Sequence, residues 1–289
     1  MSPGHRPAAP PATPPAGRPN PWRAVRRYLP FATSGLQTLL RYRSILLING
    51  ITAAASAAVQ IFLWRAVYAD APGGGPGGFD RDGITTYLLL AQVLHLLHAN
   101  RVDDEVSSEI YRGDIAVALT RPVSYPVVRF FAAVPVVLVN AALVAVPVLA
   151  LFTVVLPIHL PTPADAALFA VATTVSAVIA YAINLLVGMS GFVTTNTWGV
   201  RLVKESVVAF FAGRLVPIAL MPGGLAAVAS ALPFAGMVDT PLRLALGRYS
   251  GAGEAAALIG RQLLWAAVLL AVCALAWRAA VRRLEVLGG

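Results

Sequence analysis

Long apolar runs broken by short polar clusters set the rhythm of this chain. A helix needs about 20 mostly apolar residues to cross a bilayer. Six runs approach that length, near 44–68, 84–100, 127–156, 164–192, 202–220 and 255–278. The second is the shortest and carries His95 and His98. The pattern predicts an all-α, polytopic membrane protein with six transmembrane helices in a domain over residues 44–289. Within it, PGGLAAVASALPF offers only about ten apolar residues between Pro222 and Pro233, too few to span. Residues 221–253 are therefore read as an extracellular hairpin, re-entrant or lying at the surface, with a plain interfacial helix as the alternative.

Ahead of the spans the pattern changes. The first 22 residues hold eight prolines and no apolar core. Residues 1–20 read as a disordered, Pro-rich cytoplasmic tail and not as a signal peptide. Residues 21–43, PWRAVRRYLPFATSGLQTLLRYR, interleave Trp22, Leu29 and Phe31 with five arginines. That mixture predicts an amphipathic interfacial helix, with aromatics among the headgroups and arginines towards anionic lipid. APGGGPGGFDRDG (71–83) reads as a flexible connector.

Composition narrows the class. The 289 residues are 58% hydrophobic and 12% charged, where soluble domains average roughly 25% charged, so a soluble fold is excluded. The net charge of +9 is nearly all arginine, Lys204 being the single lysine. A basic total raises nucleic acid as a partner, but these arginines cluster beside apolar spans, as the positive-inside rule describes. The lipid bilayer is the expected partner, and nucleic acid is not. With the N-terminus inside the cell, sixteen of the 22 lysines and arginines fall in inner segments and only Arg81, Arg243 and Arg248 in outer loops. Both termini are accordingly expected in the cytoplasm. Cys273 stands alone, which excludes an intrachain disulfide and a CxxC site.

One polar insert, residues 101–122, separates the second and third runs. Five of the thirteen acidic residues fall between Asp103 and Asp114. Val102, Val106 and Ile110 recur every fourth position and share one helical face. Asn100 is placed to cap the helix start, with Asp103 three residues on in a capping-box arrangement. The acidic run sits where the helix dipole favours it, and Gly113 reads as the stop. Asp114 would then cap a second short helix through Leu119, ended by Pro122 and Pro126. The result is a cytoplasmic helix–turn–helix knuckle. An amphipathic helix lying on the membrane is the alternative, opposed by an acidity that anionic lipid repels.

Catalytic chemistry is not legible. A cassette-type phosphate loop needs G-x-x-x-x-G-K-[ST], and the only lysine follows Val203. No Ser-His-Asp ordering or carboxylate pair points to an enzyme. His95 and His98 have no Cys, Asp or Glu in the same run to complete a metal site; a packed, hydrogen-bonded pair is the expectation. Polar residues inside the runs remain, where a charge costs roughly 2.5–3.5 kcal/mol on insertion scales. Arg214, ten residues past Lys204 and so about 15 Å further along a helix, either contacts substrate, forms a structural ion pair or snorkels outward. Gln60, Asn140 and Asn184 either line a path or bond between helices. Arg201 and Glu205, four apart, are spaced to pair.

IYRGDIAVALTRPVSYPVVRFF (110–131) resembles the Gly-Asp…Leu…Arg-Pro signature of membrane (permease) subunits of bacterial type-2 ATP-binding-cassette (ABC) exporters. The C-terminal third is similar to the same subfamily at WGVRLVKESVVAFFAGRLVPIALMPGGLAAVASALPFAGMVDTPLRLALG (198–247), at LLWAAVLL and at the closing RRLEVLGG. The resemblance implies an interfacial helix and six spans in a bacterial cell membrane. It implies dimerisation with a second permease copy or a sister permease around a translocation path. It also implies that the knuckle is a coupling helix seated in a separate ATPase subunit, which would hold ATP and magnesium, while this chain binds no cofactor. Asp103, Glu105, Glu109, Tyr111, Arg112, Gly113 and Asp114 are then the coupling residues, with Glu105, Glu109, Arg112 and Tyr111 turned to the ATPase. Gln60, Asn140, Asn184 and Arg214 are the substrate-path candidates. The implied function is export of a hydrophobic or amphiphilic small molecule by alternating access. A non-transporting membrane scaffold or regulatory subunit is the alternative.

Overall fold

The computed structural model describes residues 43–69, 75–194 and 196–287, and no strand occurs among them. The expected tail (1–20), and the expected interfacial helix (21–43) up to Arg43, lie outside the described residues. The helices are α1 (Arg43–Val67), α2 (Arg81–His98), α3 (Val102–Arg112), α4 (Asp114–Leu119), α5 (Tyr125–Asn140), α6 (Val146–Val155), α7 (Pro163–Met189), α8 (Trp198–Phe211), α9 (Gly223–Ala231), α10 (Asp239–Ala245) and α11 (Ala252–Leu287). The protein is an all-α, polytopic membrane protein.

The central post is α7, which packs against α11, α3 and α10. Its middle, Ile179 through Leu185, is buried without a break. Gln262 of α11 donates to the carbonyls of Ala172 (2.8 Å) and Gly236 (2.7 Å), tying α11, α7 and the segment before α10 into one unit. Between α5 and α6 the helix widens into a π turn over Ala141–Ala145. Pro147 follows at once; its ring has no N–H to give and crowds the preceding turn, and the wider turn relieves both.

Four helical stretches are long and apolar enough to cross a membrane: Leu46–Val67, Tyr125–Val155, Pro163–Phe192 and Ala252–Arg282. A fifth is reached if Gly223–Ala231 and Pro233–Ala245, bent by 72°, form one broken span. The count of six predicted from the sequence is not reached by this measure, for two physical reasons. Most of α2 is buried in the protein, so its Thr85, Thr86, Gln92 and His98 need not face lipid. The run at 202–220 stops short, because α8 ends at Phe211. Just beyond, Gly213 adopts φ +85°, and a Cβ there would lie 2.7 Å from Tyr87 Oη, which donates to the Gly213 carbonyl at 2.9 Å. Only glycine fits that corner. Arg214 therefore sits in a turn past the helix and not, as the sequence suggests, some 15 Å along it.

Arg65 inside α1 is not left to lipid either: it donates to Thr85 Oγ1 at 3.1 Å and lies 3.5 Å from Asp82. Residues 221–253 hold α9, a 3₁₀ turn at Pro233–Gly236, α10 and the start of α11.

Candidate functional site

The 101–122 insert folds as two helices joined at Gly113, whose φ of +77° places it in the left-handed region, with its N–H donating to the Ile110 carbonyl. Val102 and Val106 are buried and Ile110 packs beside them. At the start of α3, Asn100 Oδ1 accepts from the Val102 N–H at 3.2 Å. Asp103 does not return the bond. Its Oδ1 accepts from the Asp104 N–H at 2.9 Å and its Oδ2 meets Lys204, so no capping box forms. Nor does Asp114 cap α4: Gly113 holds the cap position, and the Asp114 carboxylate pairs loosely with Arg112 at 3.7 Å. Arg101 is the one non-glycine residue with positive φ among those described. Such strain costs roughly 1–2 kcal/mol and persists only where neighbours are fixed.

Lys204 of α8 is what fixes them. Its Nζ donates to Asp103 Oδ2 (2.9 Å), Asn184 Oδ1 (2.9 Å) and Glu205 Oε1 (2.8 Å). Asn184 Nδ2 in turn donates to Asn100 Oδ1 (2.9 Å) and to the His98 carbonyl (3.3 Å). Ser176 gives its proton to the Thr173 carbonyl, so His98 Nε2 is the donor in the 3.0 Å contact with Ser176 Oγ. The side chains of Lys204 and Asp103 are each only 11% exposed. At such burial every charge needs a partner, and here each has one. Arg201 bonds Asp104, not Glu205 as the four-residue spacing suggests.

A second clamp holds the other side of α3. Arg129 of α5 reaches Glu105 at 3.0 Å and also bonds Glu109, while Tyr125 Oη donates to Glu109 Oε2 at 2.6 Å. Burial pushes the Glu105 carboxyl above its usual range, with the Arg129 guanidinium opposing. Tyr125 stacks on Trp277 of α11, ring centroids 4.8 Å apart and nearly parallel. Between the clamps, α3 lies directly on α7: a Cβ on Gly188 would come within 2.8 Å of Val106 Cβ.

The coupling candidates thus divide. Asp103, Glu105 and Glu109 are engaged within the protein by Lys204 and Arg129, Asp103 nearly buried and Glu105 still 41% exposed. Tyr111, Arg112, Gly113 and Asp114 are exposed, although the Tyr111 hydroxyl donates to the Thr194 carbonyl at 3.0 Å. Of the path candidates, Asn184 and Arg214 line one polar cavity of about 210 Å3 with His95, His98, Asp103 and Lys204. Gln60 Nε2 donates to the Arg214 carbonyl (2.8 Å), and Asn140 Nδ2 to the Ala99 carbonyl (3.3 Å). Both tie a helix to a backbone carbonyl just past the end of another helix, and neither lines that cavity. Sequence reasoning missed Arg129 and Tyr125 altogether. It gave Lys204 no role, although a single lysine in an apolar run was a visible signal.

No curated protein matches the chain. The family model described as ABC-2 family transporter protein matches residues 54–288, a stretch that contains α3, α4, both clamps and the Lys204 cluster. With most of its length matched by that family, this all-helical membrane protein belongs to the ABC-2 transporters.

Proposed function

We propose that the chain is the permease subunit of a bacterial ABC exporter, driven by a separate ATPase subunit that docks on α3 and α4. The observation that carries this reading is the two-sidedness of the knuckle. One side is locked to α5, α7 and α8, and the other presents Tyr111, Arg112, Asp114, Val117 and Leu119 to the surroundings. Val117 is 63% exposed on α4, beside the exposed Asp114 and Leu119. Tyrosine and arginine, here Tyr111 and Arg112, are among the residues that anchor protein interfaces, and a capped, clamped helix passes on a rigid-body push that a loose loop would absorb.

ATP and magnesium belong on the ATPase in this reading, and the arginines at 101, 112 and 121 support an inner, cytoplasmic placement of this end. A second permease, copy or sister, completes the path. The expected substrate is apolar or amphiphilic, in keeping with a cavity of about 390 Å3 lined by Phe130, Val137, Val178 and Tyr181.

Co-purification of the ATPase with Val117→Asp tests the docking. A carboxylate forced into a buried apolar contact costs about 2 kcal/mol or more, so docking should weaken on the order of thirtyfold while membrane insertion is unchanged. Normal ATPase binding and normal transport-coupled ATP turnover in this variant would remove α4 from the interface.

A further inference from the structure

At the end of α2 away from the knuckle lies a cavity of about 340 Å3, walled by Phe79, Tyr87, Pro217 and Ile218 and faced by Asp239 and Arg248. Asp239 is 6% exposed. Its backbone N–H donates to the Ala212 carbonyl at 3.2 Å, yet its carboxylate makes no hydrogen bond or ion pair among the described residues. Arg248 is half satisfied. Its Nη2 donates to the Gly77 carbonyl at 2.5 Å and its guanidinium lies 3.7 Å over the Phe79 ring, while Nη1 is buried with no partner. Arg243, also on the cavity wall, is engaged by Glu254 at 2.5 Å. Two opposite charges thus face one cavity without meeting. A buried charge left unpaired is strongly destabilising, and native proteins rarely carry one without a ligand, ion or water to answer it.

We propose that this cavity binds a zwitterionic head, an ammonium that donates to Asp239 joined to an oxyanion drawn to the Arg248 guanidinium. A phosphoethanolamine group has this chemistry. The room suffices, since water occupies about 30 Å3 per molecule in the liquid and the cavity offers about 340 Å3. Phe79, whose ring carries the Arg248 guanidinium, and Tyr87, edge to face with it at 5.5 Å between centroids, form the aromatic wall that holds Arg248 at the cavity. The site is complete on this chain, so its occupancy does not depend on the proposed transport. The same head can arrive on a phospholipid or as a free solute.

The experiment is thermal unfolding of the purified full chain, in detergent with soluble phosphoethanolamine and in nanodiscs with or without phosphatidylethanolamine. At tenfold excess over Kd the probe should raise the midpoint by roughly 3 °C. Phosphoglycerol, which lacks the ammonium, should raise it far less. A shift with the soluble probe assigns a free solute; a shift only in phosphatidylethanolamine nanodiscs assigns a lipid headgroup. Asp239→Asn should abolish the shift and leave the unliganded midpoint equal or higher, because an isosteric amide removes the unpaired charge. Arg248→Gln should likewise abolish it. Failure of both probes to move the wild-type midpoint overturns the proposal. So does a full shift retained in Asp239→Asn, an unliganded midpoint lowered by that change, or an equal response to phosphoglycerol.

Discussion

Lys204 shows how much one side chain decides here. It serves three acceptors at once, and its partner Asp103 lies 101 residues earlier in the chain. Lys204→Met should destabilise the protein by about 3 kcal/mol, because a carboxylate 11% exposed is left without its counter-charge. The double change Lys204→Met with Asp103→Asn removes both charges and should regain more than half of that loss. Thermal unfolding of the three variants checks it, and no recovery in the double variant would mean that charge is not what the cluster holds. Glu105 behaves the other way. Its pKa is raised in the fold, chiefly by burial, so the folded state binds the proton more readily than the unfolded one. Its contribution therefore improves as pH falls towards the folded pKa and declines as pH rises through that window. Glu105→Gln should accordingly unfold at an equal or higher temperature at neutral pH; a clear drop would show that the ionised form is the stabilising one.

At the scale of elements, two glycines set the knuckle in place by different means. Gly113 is a matter of backbone alone: φ is +77° and a Cβ there would meet nothing within 4 Å. Gly113→Val should cost about 1–2 kcal/mol through the left-handed penalty, and Gly113→Asn clearly less. Equal unfolding temperatures for the two would deny that strain is the cause. Gly188 is a matter of space, since a Cβ would stand 2.8 Å from Val106 Cβ. Gly188→Ala should lift α3 off α7 and lower the transport proposed above, whereas Gly191→Ala, with 3.4 Å to its nearest neighbours, should be tolerated. Transport assays on the pair decide this, and matched losses would mean that the close seat of α3 on α7 is unimportant. The stop at Gly113 and the buried stripe of α3 were legible because both are local. The clamps were not: charged residues near a helix start look alike whether they face solvent, a partner or their own protein.

For the whole molecule, the arginine bias and the described helices can be tested together by cysteine labelling. Pro76 and Thr120 are exposed at opposite ends of the bundle, and Cys273 is buried, so background labelling should be low. An impermeant maleimide added outside intact cells should label Pro76→Cys and spare Thr120→Cys. The reverse pattern would invert the topology and place the knuckle outside, where no ATPase could reach it.

The sequence by itself determined the class: an excess of apolar residues in long runs can be buried only in a bilayer, and helices satisfy their own backbone there. It also determined the knuckle's two helices and the family resemblance, because those are properties of short, contiguous stretches. Tertiary structure alone decided which charges are already used. Hydrogen-bond reach is about 3 Å, whereas Asp103 and Lys204, Glu105 and Arg129, or Asp239 and the cavity it faces are brought together by folding and not by spacing along the chain. It likewise decided the end of α8 and the course of α2, since a corner that only glycine fits and an apolar helix carrying buried Thr85, Thr86, Gln92 and His98 are set by what packs against them.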